Sequence, residues 1–135
     1  MTKYSEESQK KATLNYIKYW KLARDKQVTP LGDWNVWLIL AGRGFGKTWT
    51  GAYDIVNYAM THPNTISAVL APTFGDLRRV CFEGVSGINQ LIPIECYYNS
   101  RATGYNRSTS EIKLWNGSKI VGFSASEPDR LRGSQ

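Results

Sequence analysis

Between Leu38 and Ala52 the chain reads LILAGRGFGKTWTGA, and this stretch constrains the fold more than any other. An apolar run enters a loop holding Gly42, Gly44 and Gly46, a Lys-Thr pair follows, and the hydrophobic period then changes. Before the loop, NVWLILA (Asn35–Ala41) is apolar without alternation, which predicts a strand buried on both faces, as in a parallel sheet. After it, Ala52, Ile55, Val56, Ala59 and Met60 fall at i, i+3, i+4, i+7 and i+8, a single stripe along a helix from Lys47 to Met60.

The rest of the chain extends this alternation. Residues 5–24 read as a helix whose partial apolar face is drawn from Leu14, Tyr16, Ile17, Trp20 and Leu22; docking on its own domain with its lysines solvated is favoured over lying on a membrane surface. Pro30 and Gly32 make DKQVTPLGDW a loop, in which Asp33 suits a turn. TISAVLA (Thr65–Ala71) is a second buried-strand candidate. Phe74–Ile92 is helical, with Leu77, Val80, Cys81, Val85, Ile88 and Leu91 as its stripe and a break favoured at Gly84 and Gly87. Residues 97–110 are polar and loop-like. EIKLWNGSKIVGFSA is a hairpin, and its Asn116-Gly117 pair is a type I′ turn signal. Strand, loop, helix, strand, helix predicts an α/β fold with a mostly parallel sheet and a right-handed crossover.

A length of 135 residues suits one domain. No apolar run approaches the ~20 residues that span a bilayer, and the first residues lack the apolar core of a secretory signal. The net charge of +6 favours a polyanionic partner such as nucleic acid. Cys81 and Cys96 are far apart without metal-site spacing and read as free thiols. His62 reads as a loop residue. GFSAS (Gly122–Ser126) departs from the nucleophile elbow at its last position and has no convincing helix after it, which disfavours hydrolase chemistry of that type.

The loop from Ala41 to Thr48, AGRGFGKT, differs from the strict phosphate-binding pattern by the methyl group of Ala41. Its glycines let backbone N–H groups converge on phosphate oxygens. The helix that follows directs its unpaired amides and its dipole at the same anion. Lys47 adds a mobile cation for the β- and γ-phosphates, and the Thr48 hydroxyl is placed for Mg²⁺. Phe45 and Trp49 flank these groups and complete the set expected at the nucleotide. Two roles are open for Arg43: stabilising charge on the γ-phosphate, or pointing outward to a neighbouring subunit or DNA. Two are open for Gln27 as well: reading an adenine edge with its amide, or serving as an ordinary loop residue.

Three blocks, GDWNVWLILAGRGFGKTWTGA, VLAPTFGDLRRVCFEGVSGI and LWNGSKIVGFSASEPDRLRGSQ, resemble in order the ATPase domain of large terminase subunits of tailed bacteriophages. They resemble the branch whose Walker A loop reads G-R-G-x-G-K-T. The resemblance runs from about Gln27 to Gln135, and PDRLRG is far more specific than the loop. It implies an additional-strand, catalytic-glutamate P-loop NTPase that uses ATP and Mg²⁺ to drive double-stranded DNA into a procapsid. Residues 1–26 would be an N-terminal helix and 27–135 the P-loop core of a partial N-terminal ATPase domain, with the C-terminal nuclease domain absent.

By motif match, Ala41, Gly42, Arg43, Gly44, Phe45, Gly46, Lys47 and Thr48 form Walker A. Lys47 acts on the phosphates, Thr48 on the metal, and Arg43 is the loop arginine. Arg132, with Arg130 as the fallback, sits where the family has an arginine that reaches a neighbour's ATP. The implied partners are double-stranded DNA, the portal protein, the small terminase subunit and further copies in a ring. No membrane is implied, and the place of work is the host cytoplasm and, transiently, the procapsid portal.

The family pattern next has an apolar strand ending in Asp-Glu, the Walker B strand with its catalytic glutamate. No such strand is found here: Asp54 falls on the P-loop helix and Glu83 on a predicted helix. The expectation is a sheet lacking that strand, an exposed apolar flank, and weak hydrolysis by this chain alone. The alternatives are a helicase-like nucleic-acid ATPase and a non-catalytic binding module. Arg101 and Arg107 are candidate DNA contacts, weighed against solvated loop charges.

Overall fold

A computed structural model describes residues 5–19, 29–40 and 46–126. Helix α1 (Glu6–Tyr19) opens with a capping bond, the Ser8 amide donating to Ser5 Oγ at 3.1 Å, and carries Glu6 and Glu7 in its first turn, where the helix dipole favours them. It docks through Gln9, Ala12 and Thr13 onto a short 3₁₀ turn, Ile94–Cys96, where Thr13 Oγ1 lies 3.6 Å from Cys96 Sγ. Of the apolar face expected for this helix, Leu14, Tyr16, Ile17, Trp20 and Leu22 lie outside the described side chains.

Helix α2 (Lys47–Thr61) supplies the central layer. It buries Thr50, Ala52, Tyr53, Val56, Ala59 and Met60, so its stripe is rotated slightly from the expected one and Ile55 is only half-buried. Strand β1 (Ile66–Ala71) follows. Helix α3 (Phe74–Asp76) starts at Thr73, whose hydroxyl accepts from the Asp76 amide, and continues as a π-helical segment, Leu77–Phe82. The expected break is present. A Cβ on Gly84 would stand 2.7 Å from the Arg79 carbonyl oxygen, so the chain turns back where only glycine fits. Because the coil is π-helical and then interrupted, the expected stripe holds only in part: Leu77 and Ile88 are buried and Cys81 and Leu91 half-buried, but Val80 and Val85 are exposed and Phe82 enters the core instead.

Helix α4 (Ile88–Leu91), helix α5 (Arg101–Gly104) and strands β2 (Tyr105–Asn106), β3 (Glu111–Lys113) and β4 (Lys119–Ser124) complete the described fold. Tyr97, expected in a polar loop, is buried, and its hydroxyl donates to Asn89 Oδ1 at 2.6 Å. Burial pushes that phenol up to about 12.

The sheet order is β1-β4-β3-β2. β1 and β4 are parallel, with Ile66 opposite Lys119 and Ala71 opposite Ser124. β4–β3 and β3–β2 are antiparallel. The described sheet is therefore mixed rather than mostly parallel, because strands joined by a short turn can pair only antiparallel. The core lies between α2 and the inner face of this sheet, with Leu77, Phe82, Ile88, Ile112, Leu114 and Ile120 fully buried.

The hairpin forms where expected, with a different turn. Gly117 has φ +85°, and its amide donates to the Leu114 carbonyl at 3.1 Å, but Asn116 is not in the left-handed region that a type I′ turn requires. The Asn116 side chain has another role. Its Nδ2 donates to the Ala59 and Met60 carbonyls at 2.9 and 3.3 Å, and Ser118 Oγ donates to the same Ala59 oxygen at 2.7 Å. The last carbonyls of α2 are thus satisfied by the hairpin turn.

Two strand expectations are corrected. Residues 35–40 join no strand ladder, and Val36, Leu38 and Leu40 are 82, 72 and 85% exposed. β1 is a strand, but its burial alternates instead of holding on both faces, with Ile66 and Leu70 exposed. The physical reason is shared. β1 pairs with β4 alone, and no described element covers its other edge or its outer side chains. The apolar flank expected from the sequence is present among the described residues.

Candidate functional site

The site begins where α2 begins. Gly46 has φ 87° and ψ 39°, a left-handed conformation that favours glycine. Its carbonyl accepts the first helical hydrogen bond, from the Thr50 amide at 2.9 Å, and also the Thr50 hydroxyl at 2.8 Å. The cap makes no side-chain hydrogen bond, and the first turn carries no acidic residue. The leading N–H groups of any α-helix lack partners within the helix. Here the first turn itself sets no carboxylate beside them, and the adjacent side chains are Lys47 and Thr48, both exposed. An ammonium, a hydroxyl and helix-end amides form a donor set suited to an anion and a hard cation.

A cavity of about 500 Å³ opens beside this corner. Lys47 and Thr48 line one part of it, Gly51, Asp54, Ile55 and Tyr58 continue along α2, and Ser67 to Val69 of β1 form the facing wall with Cys81 and Ile88. That volume lies within the range of small-molecule sites. Burial, together with the nearby Asp76 carboxylate, holds the Cys81 thiol above its ordinary range. Trp49 does not line the cavity: its ring tilts over Tyr53 with centroids 4.7 Å apart. Burial pushes the Tyr53 phenol up to about 12.

Among the residues singled out from sequence, Gly46, Lys47, Thr48 and Trp49 fall together at the start of α2. Gln27, Ala41, Gly42, Arg43, Gly44, Phe45, Arg130 and Arg132 lie outside the described residues. Asp54, set aside in the sequence because it follows no buried strand, lines the cavity, and Thr29 Oγ1 donates to its Oδ1 at 2.5 Å. Helical periodicity carries the signal that could have found it: Asp54 lies seven residues after Lys47 and so on nearly the same face.

The basic loop residues have a different setting. Arg107 Nε donates to Glu83 Oε2 at 2.9 Å, and the Tyr105 hydroxyl donates to the same oxygen at 2.8 Å. The Tyr105 hydrogen bond, ahead of the contribution from Arg107, holds the Glu83 carboxyl below its ordinary range. Arg107 is therefore ion-paired, while Arg101 is exposed at the start of α5. Among the described residues, no group of three or more His, Cys, Asp or Glu side chains is placed to hold a metal, and no helix is long and apolar enough to cross a membrane.

The family description "Terminase large subunit, T4likevirus-type, N-terminal" matches residues 38–135. The chain belongs to that family. The match opens in the apolar run before the loop, takes in the α2 corner and its cavity, and covers β1 through β4. Comparisons with curated proteins and with solved structures give no match for this terminase chain. Membership places it among the large subunits of phage genome-packaging motors, an ATPase family.

Proposed function

We propose that this terminase chain binds ATP with Mg²⁺ at the α2 corner, as the nucleotide-binding portion of a P-loop motor that drives double-stranded DNA into a procapsid. The observation that carries the reading is the opening of α2. A left-handed glycine is followed by exposed Lys47 and Thr48, with no capping side chain and no acidic first-turn residue, beside a cavity of about 500 Å³. In this reading the amides after Gly46 and the Lys47 ammonium hold the phosphate oxygens, and the Thr48 hydroxyl ligates the metal. Mg²⁺ supplies neutralisation of phosphate charge.

Ala41, Gly42, Arg43, Gly44 and Phe45 would complete the phosphate loop, and Gln27 would contact the base. Arg43 and Arg132 are the proposed arginines of the reaction. Proton abstraction from the attacking water is assigned to no residue of this chain, and its hydrolysis on its own is proposed to be weak. The portal protein, the small terminase subunit and further copies in a ring are the proposed partners, and the host cytoplasm the proposed place of work.

Isothermal titration with ATP and Mg²⁺ tests the site. Lys47→Ala is expected to weaken binding at least tenfold, about 1.4 kcal/mol, and Thr48→Ala to remove its dependence on Mg²⁺. Equal affinity in wild type and Lys47→Ala would overturn the reading.

A further inference from the structure

Asn116 and Gly117 are each fixed by a contact from outside the hairpin. The φ of +85° at Gly117 strains any side chain, and a Cβ there would stand 2.1 Å from Asn64 Oδ1. Asn116 serves the joint as an amide: its Nδ2 donates to the Ala59 and Met60 carbonyls in the last turns of α2, and its Oδ1 accepts the Ser118 amide at 3.1 Å. Of the eight asparagines in the sequence, this is the one followed by glycine.

An asparagine before glycine is chemically labile. The glycine nitrogen, once it gives up its proton, attacks the asparagine Cγ. A new C–N bond forms, the Cγ–Nδ2 bond breaks, and Nδ2 leaves as ammonia. Water then opens the resulting succinimide at either carbonyl, leaving aspartate or isoaspartate. Glycine permits the attack because no Cβ hinders it.

The folded joint opposes each requirement. The Gly117 nitrogen is engaged, donating to the Leu114 carbonyl at 3.1 Å. Nδ2 is held by two carbonyls at 2.9 and 3.3 Å, and Oδ1 lies 2.7 Å from Ser118 Oγ as well as accepting the Ser118 amide. Ser118 is itself fully buried, with its hydroxyl on the Ala59 carbonyl. The side-chain amide is therefore pinned at both ends, and cyclisation requires that it swing away from α2. The product is mismatched to the same place. An aspartate at 116 has no N–H to give, and it sets a carboxylate against two carbonyls at the negative end of α2.

We propose that Asn116–Gly117 is a deamidation site gated by the joint between α2 and the hairpin. The closed joint protects the amide, each opening exposes it, and the product does not close again. The pair is a one-way record of how often that joint opens.

The test follows the peptide containing Asn116 by mass spectrometry during incubation at mildly alkaline pH, with isoaspartate detected by enzymatic methylation. Folded wild type is compared with wild type in denaturing urea and with Ser118→Ala. Deamidation of the folded chain is expected to be about tenfold or more slower than in urea, because reaction proceeds only from the open fraction. Ser118→Ala is expected to fall between the two. Asn116→Asp, which carries the product side chain, is expected to lower the thermal midpoint and to speed exchange of the His62 amide, whose bond to the Tyr58 carbonyl ends α2.

Equal rates in the folded and unfolded chain would overturn the proposal. So would a Ser118→Ala rate at or below that of wild type, which would show that Ser118 activates the amide instead of restraining it. Wild-type exchange at His62 in Asn116→Asp would overturn the one-way step. If Ser118→Ala does not fold, wild type in sub-denaturing urea decides: deamidation must quicken in step with His62 exchange, and a flat rate removes the gate.

Discussion

The two flanks of β4 are treated in opposite ways. On the side of β3, apolar residues meet partners at every level: Ile112 faces Ile120 across the ladder, Phe82 stacks parallel to Tyr105 at 6.0 Å, and the end of α2 is bonded into the hairpin turn. On the side of β1, Ile66 and Leu70 are exposed among the described residues, and so are Val36, Leu38 and Leu40 of the segment that joins no ladder, although these sequences are just as apolar. The difference shows that an apolar run specifies a readiness to be covered, while a partner has to supply the cover. It also shows where the chemistry lies. The cavity and the α2 corner belong to the open side, and the closed side holds them in place.

The sharpest way to break this comparison is to remove bulk from each side. Phe82→Ala should destabilise by about 3–5 kcal/mol, because a fully buried ring leaves a void. Leu38→Ala should stay within about 0.5 kcal/mol, as exposed positions do. Denaturant midpoints measured in parallel decide it, and similar losses at both sites would mean that 36–40 is packed in solution. A smaller effect is expected at the join. Asn116→Ala removes the donors to the Ala59 and Met60 carbonyls and should cost about 1–3 kcal/mol. Hydrogen exchange should then rise at the last turn of α2 before it rises in β4.

The smallest effect is electrostatic. The Glu83 carboxyl, ordinarily near 4.5, is held lower in the fold by Tyr105 and then Arg107. Its contribution to stability is therefore present above about pH 4.5 and is lost as the pH falls through the lowered folded value. Glu83→Gln should reduce stability slightly at neutral pH and flatten the acid limb of the stability curve. An unchanged acid limb would show that the pair contributes nothing in solution, as many surface pairs do.

How much of this was legible depended on whether a residue's role is local. The α2 helix, the break at Gly84, the hairpin and the grouping of Gly46, Lys47 and Thr48 follow from spacing and from glycine, so they could be read directly. The turn type could not. Asn116 carries a strong local preference for a type I′ turn, but the α2 carbonyls claim its side chain from fifty-six and fifty-seven positions away in sequence. Tyr97 is buried for a similar reason, since a partner on α4 satisfies its hydroxyl. NVWLILA failed as a strand because periodicity measures hydrophobicity and says nothing about whether an edge is free to receive it. Asp54 was passed over because an acid was sought after a buried strand, whereas its place on the cavity follows from its helical phase with Lys47.

The bonding of Asn116 and Ser118 to the last turn of α2 has a mechanical consequence. A helix of 15 residues is about 22 Å long and nearly incompressible along its axis. One end carries Lys47 and Thr48 at the corner, and the other is hydrogen-bonded to the β3–β4 turn. Helix and hairpin are therefore coupled at that end, so that an axial displacement of α2 bears on the β3–β4 turn.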